Sequence, residues 1–220
     1  MNTERAKASA IQGIYALCDI SLNPGLDHLG LAKRLLEGGV PTLQLRMKGE
    51  TDLSKVRAAV REILELKKRH RFTFILNDFV SVAEEFPVDG VHLGQDDLAV
   101  EAARECLGPG RLIGYSSHSL EEALAAERRG ADYVALGAIF PTATKGPGHP
   151  VQGTRVLRQV VKRLSVPVVA IGGIQRRNFS EVVATGVAAV AMIGALTQAS
   201  DVAAEARWFV EAFRALRKPE

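Results

Sequence analysis

Several things are scarce in this 220-residue chain. It has two cysteines, Cys18 and Cys106, far apart and in no CxxC pattern. That excludes a disulfide framework or a paired-cysteine zinc cluster. Aromatic residues are 5% of the chain, with one tryptophan. Such a composition disfavours an aromatic-rich sandwich and suits small branched side chains layered between parallel strands. No long apolar run is present: the stretch Val187 to Leu196 falls well short of the ~20 residues a membrane-spanning helix needs. Met1 to Gln12 lacks the apolar segment of a secretory signal, so a reducing, cytoplasmic setting is expected. Charge of one sign is also missing. Lys plus Arg is 28 against 25 for Asp plus Glu, a net +3. Nucleic-acid binding asks for a clustered basic face, and none stands out. The longest basic run, Lys67 to Arg71, reads as a helix end that complements the helix dipole.

What is abundant is one repeating rhythm: a short apolar run, then polar or glycine residues, then a helical stretch. Strands are predicted at 13–18, 42–45, 73–76, 90–93, 112–115, 133–136, 167–171 and 188–193. Helical periodicity of about 3.6 residues runs over Leu26 to Glu37 and Leu53 to Lys68. Ser119-x-x-Glu122 opens another helix as a capping box, and Gly38-Gly39, Gly130 and Gly186 close helices. A final helix over about Val202 to Leu216 should pack back on the body through Trp208, Phe209 and Phe213. Strands alternating with helices make right-handed βαβ units and a parallel sheet. Eight units in one chain of this length predict closure into a (β/α)8 barrel over residues 13–218, preceded by an extension over 1–12. An open doubly wound sheet is the alternative, but no GxGxxG follows the first strand.

Barrels of this type gather chemistry at the C-terminal ends of their strands. After strand two come Gln44, Arg46 and Lys48, at alternate positions that should point one way. A guanidinium fork beside an ammonium reads as an anion clamp. After strands three and four come Asn77-Asp78 and Gln95-Asp96-Asp97. Carboxylates on neighbouring strand ends suit magnesium, which wants hard oxygen ligands, although Asp97 alone could serve as a helix cap. Strand five is followed by Ser116, Ser117 and His118, the last a candidate acid or base or a surface histidine. A Gly/Pro-shaped loop, Pro141 to Gly148, holds Thr142, Thr144 and Lys145. Gly172-Gly173 after strand seven and Ile193-Gly194 after strand eight expose backbone N–H groups where barrels often hold phosphate.

Taken together, QLRxK at 44–48, ND at 77–78, GVHLGQxD at 90–97, TxTK at 142–145 and AIGGI at 170–174 resemble the thiamine phosphate synthase family, also called thiamine-phosphate pyrophosphorylase. The likeness covers nearly the whole chain. GVHLGQxD and TxTKG are its specific parts, whereas GGI is common to many phosphate-binding barrels. The resemblance implies a TIM barrel that joins hydroxymethylpyrimidine diphosphate to hydroxyethylthiazole phosphate, or its carboxylated form, with release of diphosphate. It also implies that Gln44, Leu45, Arg46, Met47, Lys48, Asn77, Ser116 and Lys145 hold the pyrimidine diphosphate. Thr142, Ala143, Thr144, Gly173, Ile193 and Gly194 would hold the thiazole phosphate. Asp78 and Asp97 would bind Mg2+, and Arg46, Lys48, Lys145 and Ser116 would act in catalysis. The chain departs from the common pattern at Gly194, where serine is frequent, at Tyr115 and at Ala138. As partners the reading names these small molecules, leaves room for a homodimer, and gives no role to nucleic acid or membrane.

Three other functions fit parts of the pattern. A thiazole tautomerase of similar fold would use His118 but needs no diphosphate clamp. A non-catalytic phosphate-binding barrel would keep the glycines and need no paired acids. A phosphosugar epimerase would want paired acid/base residues across the barrel mouth, and the sequence does not supply them.

Overall fold

A computed structural model describes residues 10–23, 25–142 and 150–217. Eight parallel strands close into one barrel in sequence order, β1 pairing with β8. They are β1 (Gly13–Cys18), β2 (Thr42–Leu45), β3 (Thr73–Asn77), β4 (Gly90–Leu93), β5 (Leu112–Ser117), β6 (Tyr133–Leu136), β7 (Val168–Ile171) and β8 (Ala189–Met192). The strand pattern read from the sequence holds throughout. The differences are at the ends, with β3 and β5 running one and two residues further than expected.

The helices are α1 (His28–Glu37), α2 (Leu53–Leu66), α3 (Val80–Glu85), α4 (Val100–Leu107), α5 (Leu120–Arg128), α6 (Gly153–Arg163), α7 (Arg176–Val183), α8 (Gly194–Thr197) and α9 (Val202–Leu216). Side-chain oxygens start several of them by accepting otherwise unpaired N–H groups. Asp27 accepts from Gly30 N at 2.6 Å, Asp52 from Ser54 N at 2.9 Å and Asp201 from Ala204 N at 3.0 Å. The box expected at Ser119 is only half formed. Ser119 Oγ accepts from Glu122 N, but the Glu122 carboxylate accepts from His118 N instead of Ser119. α1 begins at His28, two residues later than its periodicity suggested, because Asp27 takes the cap.

Alternation along the strands sorts the core into two shells. Ile14, Leu43, Phe74, Val91, Ile113 and Val190 face the helices. Tyr15, Ile75, Leu112, Tyr133, Val169 and Ala189 fill the barrel itself. Ile11, expected in an extension ahead of the barrel, is fully buried with this inner group. Gly114 makes room inside: a Cβ there would collide with the Tyr133 ring. α9 closes the outside, with Phe209 and Phe213 buried as expected. Trp208 docks as expected but is not fully covered. It is 36% exposed, stacks edge-on against Phe209 and carries the Arg176 guanidinium over its ring at 4.4 Å.

Candidate active site

The strand C-termini bring together what the sequence scatters. β2 ends at Leu45, so strand alternation does not reach Arg46 and Lys48. Gln44 instead points into the barrel, 2% exposed, and its Nε2 donates to the Tyr15 hydroxyl at 2.8 Å. Leu45 turns the other way, fully buried in the shell that faces the helices. Arg46 is held against Asp19 through its guanidinium. Lys48 Nζ donates to Asp78 Oδ2 at 3.0 Å. Met47 lines the same recess as Asp19, His28, Arg46 and Lys48.

Asp78 follows β3 with a left-handed backbone, φ 65°, which short polar side chains tolerate best. Asp97 arrives beside its carboxyl from the end of β4. Burial and then that second carboxyl push the Asp78 pKa up, and Lys48 only partly offsets them. The same contact holds Lys48 firmly charged, its pKa raised by Asp78. Asp97 is not the cap of α4, whose N-cap is Ala99. Its Oδ2 accepts from Gly94 N at 2.6 Å, fixing the turn after β4. Carboxylate oxygens of this kind are the hard donors that a cation such as magnesium prefers.

Inside the barrel a polar chain links five strands. Gln44 donates to Tyr15, the Tyr15 and Tyr133 hydroxyls lie 2.8 Å apart, and Tyr133 lies 3.1 Å from His92 Nδ1. His92 Nε2 reaches Ser116 Oγ at 2.9 Å. Burial drives both tyrosine pKa values up, so the phenols stay neutral. Gln44 Oε1 is buried and has no partner among the described residues. Asn77, the last residue of β3, is buried at the same level as His92, its register partner on β4.

Beside this chain lies a cavity of about 350 Å³. Thr142, Gly173, Ile193 and Gly194 line it, with Leu22 from β1's exit and Ile171 and Ala191 from the barrel interior. Gly172 and Gly173 have φ of +102° and +65°. A Cβ on Gly173 would sit 2.6 Å from the Pro141 carbonyl oxygen, so only glycine lets these loops meet. Ala143, Thr144 and Lys145 lie outside the described residues. His118 is tied to the first turn of α5, its Nδ1 3.3 Å from Glu122 Oε2.

Sequence reading missed Asp19, Tyr15, Tyr133 and the place of His92 in this chain. Asp19 had a signal, since it directly follows β1, at the end where every other strand was searched. The tyrosines had a weaker one: a polar tip inside an otherwise apolar strand.

A family model described as thiamine monophosphate synthase matches residues 14–196. The chain belongs to that family. It is 39% identical over 199 residues to a thiamine-phosphate synthase of Methanospirillum hungatei, covering 90% of this chain and 96% of that protein. A thiamine-phosphate synthase of Chlorobium phaeovibrioides is 43% identical over 192 residues, covering 86% and 91%. The solved structure of a thiamine phosphate pyrophosphorylase from Pyrococcus furiosus superposes with a TM-score of 0.87 at 33% identity, covering 96% of this chain and 99% of that one. Among the described residues no helix is long and apolar enough to cross a membrane. Within the thiamine monophosphate synthase family, then, this chain sets the acid pair, the cations and the glycine-lined cavity at one barrel mouth.

Proposed function

We propose that this barrel is a transferase that moves a pyrimidinylmethyl group from hydroxymethylpyrimidine diphosphate onto the nitrogen of hydroxyethylthiazole phosphate or its carboxylated form. The products are thiamine phosphate and diphosphate. The observation that carries the reading is the convergence of Arg46, Lys48, Asp78 and Asp97 beside a cavity lined by Gly172, Gly173 and Gly194.

Arg46 and Lys48 bind the diphosphate oxygens, and Lys145 joins them from the loop after β6. Asp78 and Asp97 would hold Mg2+, which when bound would supply positive charge to stabilise the diphosphate as it leaves. The methylene C–O bond breaks, its electron pair passing to the diphosphate oxygen, whose growing charge Arg46 and Lys48 meet. The electron-rich aminopyrimidine carries the cation left behind. The thiazole nitrogen then donates its lone pair to the methylene carbon. The side chains that direct this are positioning groups. Gln44 Oε1 accepts from the pyrimidine amine, Asn77 and Ser116 flank the ring, and Leu45 and Met47 shape the entrance through main chain and side chain respectively. Thr142, Ala143, Thr144, Gly173, Ile193 and Gly194 seat the thiazole phosphate, with N–H groups near the start of α8 serving its anion. Water is kept from the cation by the apolar barrel wall of Ile171 and Ala191. No protein nucleophile is required.

A coupled assay tests this. Diphosphate release should need both substrates and a divalent cation, and EDTA should stop it. Conversion of the thiazole phosphate alone, with no diphosphate formed, would overturn the reading.

A further inference from the structure

At the mouth of the barrel the Asp19 carboxylate holds the Arg46 guanidinium from the loop after β2, and nothing in the reaction requires an acid there. Asp19 is 4% exposed. Its Oδ1 accepts from Ser21 N at 2.9 Å and so caps the 3-10 turn Ile20–Leu22, while its Oδ2 takes Arg46. Arg46 is held at a second point, since its backbone N–H donates to Cys18 O at 3.0 Å. A guanidinium has five N–H donors in one plane, so a carboxylate on one of them fixes the plane and leaves the rest for an anion.

We propose that Asp19 is a positioning residue, which orients Arg46 for the diphosphate group by bonding one edge of its guanidinium. The inference rests on the diphosphate reading of this mouth. An arginine on a flexible stem loses rotamer freedom on binding an anion, and a partner that orders it beforehand removes that loss. The same carboxylate caps the turn that carries Leu22 into the wall of the glycine-lined cavity.

Asp19→Asn separates the two jobs. The amide oxygen can still accept from Ser21, but its NH2 then faces the guanidinium donor to donor. We expect magnesium-loaded inorganic diphosphate, measured by titration calorimetry, to bind D19N about tenfold more weakly than wild type. The KM for thiazole phosphate should stay within about twofold, because the turn is kept. In a double-mutant cycle, D19N should add nothing in the R46A background. Asp19→Ser keeps a capping oxygen and carries the same expectation, so failure of one variant to fold leaves the test standing. Wild-type or tighter diphosphate binding by both variants, or an equal loss added to R46A, would overturn the proposal. If R46A itself binds diphosphate normally, it is the reading of the mouth that fails.

Discussion

Gln44 and Tyr15 share a hydrogen bond of 2.8 Å that spends the amide's donor end and leaves its acceptor end, Oε1, buried and unpartnered among the described residues. A buried acceptor left unmet costs about 1–3 kcal/mol. A substrate amine entering the barrel would recover that cost, which gives the site a reason to prefer an aminopyrimidine.

Gln44→Leu should therefore lower kcat/KM for the pyrimidine diphosphate by about 10–100-fold, the equivalent of one buried hydrogen bond. Its melting temperature should not fall below wild type, because the orphaned acceptor is gone and Tyr15 still has Tyr133. Steady-state kinetics and a thermal melt on the same preparation check both halves. Equal kinetics would remove Gln44 from the substrate site.

Asp78→Asn and Asp97→Asn should each reduce turnover by about 10²-fold or more while the fold persists. For Asp78 the sign of the stability effect is opposite to that on activity. Its pKa in the folded chain is raised by burial and by Asp97, so its favourable contribution is whole below the ordinary value of 3.8 and is lost as pH rises through the elevated one. At neutral pH the metal-free protein carries the full penalty. D78N, which also tolerates φ 65°, should melt above wild type at pH 7 without metal, and the gap should close as pH falls toward 4. A D78N protein that melts lower than wild type at pH 7 would show that the Lys48 contact outweighs the acid pair.

Gly114→Ala places a methyl inside the Tyr133 ring, in a barrel with no room to shift it. We expect a loss of about 1–3 kcal/mol, read as a lower urea midpoint at unchanged slope. Activity should drop with it, since Tyr133 bridges Tyr15 and His92. A midpoint equal to wild type would mean that the inner chain is looser than its distances imply.

Gly173→Ala should act on the other substrate. The new Cβ would lie 2.6 Å from Pro141 O and 2.7 Å from Phe140 O, forcing the loops after β6 and β7 apart. The KM for thiazole phosphate should rise roughly tenfold or more, with inorganic diphosphate binding unchanged. Loss of both affinities together would argue that the two halves of the mouth are one unit.

Much of this was open to inspection before folding was considered. Arg46, Lys48, Asp78 and Asp97 are legible as polar residues that follow an apolar run, and the fold puts all four at one mouth. Asp19 holds the same position after β1. Asp97 shows the limit of the method. A local rule offered it a helix to cap, but the helix starts later, at Val100, and the carboxylate serves a turn and Asp78 instead. Trp208 shows it too, because helical spacing marks a face without saying how far that face is covered.

The sequence by itself determined the eightfold strand and helix alternation and the strand ends at which chemistry would collect. These follow from backbone periods of two and 3.6 residues, which are local properties of the chain. Only the tertiary structure decided that Tyr15 meets Tyr133 across 118 positions, that Asp19 takes Arg46, and that Gln44 keeps one oxygen unmet. Such meetings depend on how strands stagger and tilt when the barrel closes, and on which inward glycine gives way to which ring. Those are relations between distant segments, and no window along the chain contains both partners.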